Sequence, residues 1–140
     1  MSSYDEGVAS LNANARGPLP RPTESELGIL RVLWERGPST VRAVHAALGN
    51  ATGYTTVLKL MQIMAEKGLV ERDEEQRAHV YRARLAQEHT ERQLVGDLLD
   101  RAFGGSATRL MMQLLSSSQA GVGEIAELRR LLDEYERSQG

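Results

Sequence analysis

Residues 53–70 read GYTTVLKLMQIMAEKGLV, and the rest of the chain is read outward from them. The stretch has the marks of one helix. Thr52 is placed to cap its start, and Gly68, after Lys67, is placed as the residue just past its end. Val57, Leu60, Met61 and Met64 recur at helical spacing and form one apolar stripe. Tyr54, Thr55, Thr56, Lys59 and Gln62 fall outside that stripe, mostly in the N-terminal half. Hydroxyls, an ammonium and an amide are groups that reach phosphates and base edges. The stretch is therefore a candidate recognition helix, and its neighbours must supply the context.

Upstream, Thr23-Glu24-Ser25-Glu26 is a capping box that opens a first helix. Leu27, Leu30, Leu33 and Trp34 are its expected buried stripe, with Ile29 beside it. Gly28 costs about 1 kcal/mol against Ala in a helix interior, so a close neighbour is expected there. Arg36-Gly37-Pro38 ends the helix. Ser39 or Thr40 caps a second, shorter helix reaching to about Leu48, with Val41, Val44, Ala47 and Leu48 facing inward. His45 reads as a boundary residue rather than a ligand, because no second ligand stands three or four residues on. Gly49, Asn50 and Ala51 make the turn into the third helix.

After Gly68 the period changes from 3.6 to 2. Leu69-Val70-Glu71-Arg72 begins a strand, residues 73–77 form a polar turn, and Ala78-His79-Val80-Tyr81-Arg82 returns, with Val80 and Arg82 on one face. Three helices followed by a hairpin is the order of a winged helix, a helix-turn-helix variant whose hairpin touches the backbone of a duplex. Acidic residues at the wing tip suit phosphates badly; Arg72, Arg77 and Arg82 are placed to offset them.

From about Ala86 the helical period returns in three stretches. Leu94, Val95, Leu98 and Leu99 lead to Phe103-Gly104-Gly105; Ala107, Leu110, Met111, Leu114 and Leu115 follow. After a small-residue loop, Ser116 to Gly123, come Ile125, Leu128, Leu131, Leu132 and Tyr135. Three short amphipathic helices do not hide all their apolar faces by themselves. A second copy of the chain is the simplest cover; folding back on the first domain is the other. Residues 1–22, with Gly17, Pro18, Pro20 and Pro22 close together, read as a disordered arm. Only Arg16 and Arg21 would serve such an arm in a groove, so a plain tail is the preferred reading.

The net charge of −2 averages unlike parts. Residues 1–20 carry −1, residues 21–84 carry ten Lys and Arg against eight Asp and Glu, and residues 85–140 carry −3. The one net-basic segment holds the candidate helix, which supports a nucleic-acid partner only weakly. There is no cysteine, so disulfides and thiolate metal sites are excluded. No run reaches the roughly 18 apolar residues of a membrane span, and the start does not resemble a secretory signal, so a cytoplasmic protein without membrane insertion is expected. His45, His79 and His89 sit in different elements with no triad pattern around them, and no phosphate loop or dinucleotide fingerprint exists. No catalytic residue, metal or cofactor is expected.

These segments resemble a known family, the penicillinase repressor (BlaI/MecI/CopY-like) regulators. The resemblance is carried by Thr23-Glu24-Ser25-Glu26-Leu27 with Leu33-Trp34; by residues 37–44, GPSTVRAV; by Tyr54-Thr55-Thr56-Val57; by Lys67-Gly68-Leu69-Val70; by Tyr81-Arg82; and by Glu124 to Arg129. It covers roughly residues 23–137. It implies a dimeric repressor of a palindromic DNA operator, silencing genes for β-lactam resistance or copper handling. In the antibiotic branch it also implies release through a membrane sensor-peptidase pathway that ends in cleavage of the C-terminal part. Four departures stand out. The cysteines of the copper branch are missing, and Gln113-Leu114 stands where the antibiotic branch has its Asn-Phe cleavage bond. Lys59 and Ile63 replace the Thr and Arg often found there, and Gln76 replaces a common wing glycine.

The expectation is thus a mainly α chain with a small β-hairpin. A winged helix-turn-helix domain over 23–84 follows the arm over 1–22, and a helical dimerisation module spans 85–140. Groove contacts are assigned to Tyr54, Thr55, Thr56, Lys59 and Gln62. Phosphate contacts go to Ser39, Thr40 and Arg42 at the second helix and to Arg77 and Arg82 on the wing. Leu94, Leu98, Phe103, Leu110, Met111, Leu114, Ile125, Leu128 and Leu132 are the expected dimer interface. The bland alternative is a winged helix that docks a protein, since fold alone does not establish DNA binding.

Overall fold

A computed structural model of the chain describes residues 20–75, 77–117 and 121–140. The arm therefore lies, up to residue 19, outside the described residues, as does Gln76 in the wing. The chain forms two compact units, one running to Gln93 and one from Leu94 to Gly140. The first has the expected architecture. Helix α1 (Glu24–Arg36), strand β1 (Ser39–Thr40), helix α2 (Val41–Leu48), a single 3-10 turn (Gly49–Ala51) and helix α3 (Tyr54–Lys67) follow in order. Strands β2 (Val70–Asp73) and β3 (Val80–Ala83) then form the wing, and α4 (Gln87–Ala102) begins.

The capping box at the start of α1 forms in full. The Thr23 hydroxyl accepts the Glu26 N–H at 3.3 Å, and the Thr23 N–H donates to Glu26 Oε1 at 2.8 Å. Glu26 is only 2% exposed, and the same Oε1 accepts from Lys67 Nζ at 2.6 Å. A cap that the sequence reads as local thus also ties the first turn of α1 to the last turn of α3. Burial opposes ionisation of Glu26. The Lys67 hydrogen bond, the Thr23 backbone N–H and the Lys67 charge outweigh it and hold the carboxyl below the ordinary 4.5.

The core gathers Ile29, Leu30, Val32 and Leu33 from α1, Val41 and Val44 from α2, Val57, Met61 and Met64 from α3, and Leu69, Val70 and Tyr81 from the hairpin. Leu27 and Trp34, expected in the α1 stripe, are half-buried, while Ile29 and Val32 are buried. Helix α1 packs against α2, α3 and β3, so its buried arc is wider than a single seam. The Trp34 ring keeps one edge turned to the Leu85 carbonyl, to which Nε1 donates at 3.0 Å. Two further expectations fail. A Cβ at Gly28 would meet nothing within 4 Å, so no close neighbour explains that glycine. Gly53, not Thr52, caps α3, without a side-chain bond, because the 3-10 turn runs to Ala51 and leaves Thr52 extended.

A third strand was not anticipated. The two residues Ser39 and Thr40 pair with Tyr81 and Val80, giving an antiparallel sheet of order β1-β3-β2. Thr40 does double duty: its side chain also accepts the Ala43 N–H at 3.1 Å and caps α2. The descent from α3 into the wing is a Schellman turn. Gly68 sits at φ +85°, its N–H reaches the Ala65 carbonyl at 3.3 Å, and the Leu69 N–H reaches Met64 at 2.9 Å. Met64 and Leu69 are both buried, which is the apolar contact this turn uses. Arg84 Nη1 lies 3.0 Å from where a Gly68 Cβ would stand.

The second unit contains the rest of α4, then α5 (Ala107–Ser117) and α6 (Val122–Gln139). Gly104 and Gly105, at φ +56° and +82°, end α4, and the Ser106 hydroxyl accepts the Arg109 N–H to start α5. The loop expected over Ser116 to Gly123 is shorter, since α5 runs through Ser117 and α6 starts at Val122. No residue of α5 or α6 is buried.

Gly68→Ala is expected to lower stability by about 1–2 kcal/mol, read as a lower urea midpoint with an unchanged slope. Lys67→Met is expected to cost about 2 kcal/mol at neutral pH by stranding a buried carboxylate. Because the folded Glu26 carboxyl titrates below 4.5, its stabilisation is present above that value and is lost as pH falls through the lowered folded pKa. The gap between Lys67→Met and the parent, followed by urea unfolding, should therefore narrow at acid pH.

Candidate nucleic-acid interface

Burying Val57, Met61 and Met64 fixes the rotation of α3. Thr55, Lys59 and Gln62 then lie on one exposed line opposite the core, at i, i+4 and i+7. Glu66 continues that line one turn further and is also exposed, so a surface suited to an anionic partner stops before the end of the helix. Tyr54 and Leu58 flank the line on one side. Thr56 flanks it on the other, where it joins Glu24, Ser25, Gly28 and Thr52 around a separate recess of about 220 Å³.

Tyr54 and Gln62 open onto a groove of about 580 Å³ between α2, α3 and the wing. Thr40, Arg42, Arg72, Arg77 and His79 line it as well. Three guanidinium groups and no carboxylate are among the lining residues. Tyr54, 42% exposed, is held from the α2 side. The Arg42 guanidinium lies 5.9 Å from its ring centre, and the His45 ring meets it edge-on at 5.8 Å and 86°. His45 is the half-buried boundary residue expected of it.

The predicted phosphate contacts are brought together only in part. Thr40, Arg42 and Arg77 line the groove. The Ser39 hydroxyl donates to the Gly37 carbonyl at 2.9 Å. Arg82 lies in a second recess with Glu71, Asp73 and Glu75, where its Nε and Nη2 bond Glu71 Oε2 at 3.2 and 3.0 Å. That pairing follows from the strand register, which sets Glu71 opposite Arg82.

Two groove residues with basic side chains escaped the site assignment made from the sequence. His79 precedes β3 and lines the groove. Arg72 stands opposite Tyr81 in the register and pairs with Glu74. Hydrogen bonding to Tyr81 first, and then the Glu74 charge, raise its guanidinium above the ordinary arginine value. The sequence carried Arg72 as a wing charge, but which face it occupied depended on the register.

Within the second unit, Leu94, Phe103, Leu110, Met111 and Leu128 are half-buried, while Leu98, Leu114, Ile125 and Leu132 are exposed, Leu132 at 59%. On α6, Arg130 bridges Glu127 and Glu134 on the charged side and holds the Glu127 carboxyl below its usual range. Among the described residues no cluster of three or more His, Cys, Asp or Glu side chains is placed to hold a metal ion, and no helix is long and apolar enough to cross a membrane.

Comparison with known proteins places the chain among relatives of known description. The chain is 34% identical over 128 residues to a transcriptional regulator, BlaI, of Mycobacterium tuberculosis, covering 87% of this chain and 90% of that protein. It is 21% identical over 119 residues to a penicillinase repressor of Bacillus licheniformis, covering 84% and 93%. The model of the penicillinase repressor family matches residues 22–134, from before α1 into α6, and the chain therefore belongs to the penicillinase repressor family.

Proposed function

We propose that the chain is a transcriptional repressor that binds a palindromic operator in double-stranded DNA as a homodimer. The observation that carries this reading is the exposed Thr55–Lys59–Gln62 line beside a groove lined by Arg42, Arg72 and Arg77 and by no carboxylate. Thr55, Lys59 and Gln62, with Tyr54 beside them, take the base edges. Thr40, Arg42 and Arg77 take phosphates on either side. Thr56 and Arg82 have lesser parts, one facing away from the groove and the other neutralised by Glu71. A protein-docking surface would need a contiguous apolar patch. Tyr54 and Ile63, the exposed large apolar residues of α3, flank opposite sides of the polar line.

The dimer reading rests on the second unit. Leu98, Leu114 and Leu132 expose about half of their surface in the single chain, and neither α5 nor α6 buries any residue. A two-fold copy covers these faces and sets two winged helices against the two halves of a palindrome. The relatives' names speak of regulation and repression, and this chain is assigned that role, without catalysis and acting in the cytoplasm. Relief through a membrane sensor peptidase is part of the same reading. The place it would act, Gln113-Leu114, lies inside α5, so cleavage there requires local unwinding of that helix.

Lys59→Ala is expected to weaken operator binding about tenfold or more, with little change on random duplex, in gel-shift titrations. Arg77→Ala should weaken both equally and lower the slope of log affinity against log salt by about one. Unchanged operator affinity for Lys59→Ala would refute the groove assignment. Sedimentation at micromolar concentration should give a dimer, and Leu132→Asp should shift it to monomer; a monomeric parent would remove the dimer reading.

A further inference from the structure

Arg72 is the groove guanidinium that neither the site assignment nor the comparisons account for. It stands on β2 beside α3 and borders three recesses. One is the main groove, shared with Tyr54, Gln62 and Arg77; a smaller one it shares with Gln62, Ala65 and Glu66; the third is the recess of Arg82, with Glu71, Asp73 and Glu75. Its side chain is about one-third exposed, and the strand register places it opposite the buried Tyr81. Glu74, more than half exposed, pairs with Nη2 from the start of the wing turn. Arg42 is stacked on Tyr54 and Arg82 is paired across the strands, so each groove or wing arginine has its own environment. Among the described arginines of the groove, Arg72 is the one that also borders Ala65 and Glu66 beside Gln62, and it is paired with a carboxylate two residues away.

We propose that Arg72 is a DNA-contacting residue at the root of the wing, and that Glu74 is a carboxylate it exchanges for a phosphate on binding. This rests on the DNA-binding reading above. The chemistry favours the exchange. An exposed Arg–Glu pair is weak, worth about 0–1 kcal/mol, whereas a guanidinium meets a phosphate with two parallel charge-assisted bonds. The buried Tyr81 stands opposite Arg72 in the register and also hydrogen-bonds its guanidinium, so one side of the group stays anchored while Glu74 is replaced. The pair therefore tunes affinity: it keeps Arg72 compensated in the free protein and lets it go to a duplex.

The test is a double-mutant cycle on the full chain, read by gel shift against random and operator duplex at two salt concentrations, with urea unfolding of each variant. Arg72→Ala should weaken both duplexes about tenfold and lower the salt slope by about one. Glu74→Gln should tighten both by a few-fold. In the Arg72→Ala background the Glu74→Gln gain should largely vanish, because the carboxylate acts through that arginine. Glu75→Gln is the charge-matched control on the same turn and should tighten binding less. The exchange is overturned if Glu74→Gln gains as much without Arg72 as with it, or if Glu75→Gln matches it. The contact is overturned if Arg72→Ala binds like the parent while the stabilities agree. If the parent binds neither duplex, the DNA-binding reading itself falls, which is a separate outcome.

Discussion

One packing constraint governs what this molecule presents to its surroundings: the insertion of Val57, Met61 and Met64 into a core that leaves each of them fully buried. A helix has one rotational degree of freedom about its axis, and burying one stripe removes it. Thr55, Lys59 and Gln62 point outward for no other reason. The axial position is set at the last turn, where Lys67 meets the buried Glu26 and Gly68 turns the chain into the wing. Core, cap and turn thus act on the same helix from three directions, and the wing inherits its placement from all of them.

The wing shows how a short sheet sorts charge. Register pairs Glu71 with Arg82 and Arg72 with Tyr81, so alternate residues of β2 fall on opposite faces. Glu71, Asp73 and Glu75 gather around Arg82; Arg72 borders that recess and also lines the groove beside α3. A wing that is acidic on average therefore still offers a cationic wall to the groove. The two-residue strand β1 matters in the same way. It fastens the start of α2 to β3, which brings Thr40 and Arg42 to the groove's far side.

Much of this was legible beforehand. The capping box, the Gly68 stop, the α3 stripe and the change of period after it are local signals, and each reports a local preference of the backbone. Most of what escaped was non-local. Glu26 read as a cap, but its second partner is 41 positions away. Trp34 read as core, but its N–H is drawn outward by the Leu85 carbonyl, 51 positions on. Thr52 lost the cap of α3 to Gly53 because a 3-10 turn consumed the residues before it.

The sequence alone determined the order of the helices and the hairpin, which stripe of α3 is apolar, and that the C-terminal helices carry more apolar surface than three short helices hide. Periodicity and capping are written in neighbouring residues, and they act over one or two turns. The tertiary structure alone decided which polar side chains share a groove. Thr56 was set apart from Tyr54 and Gln62, Arg82 was given to Glu71, and Arg72 was brought beside the recognition helix. Those outcomes depend on helix rotation and strand register, and a shift of one residue in either would have reversed them.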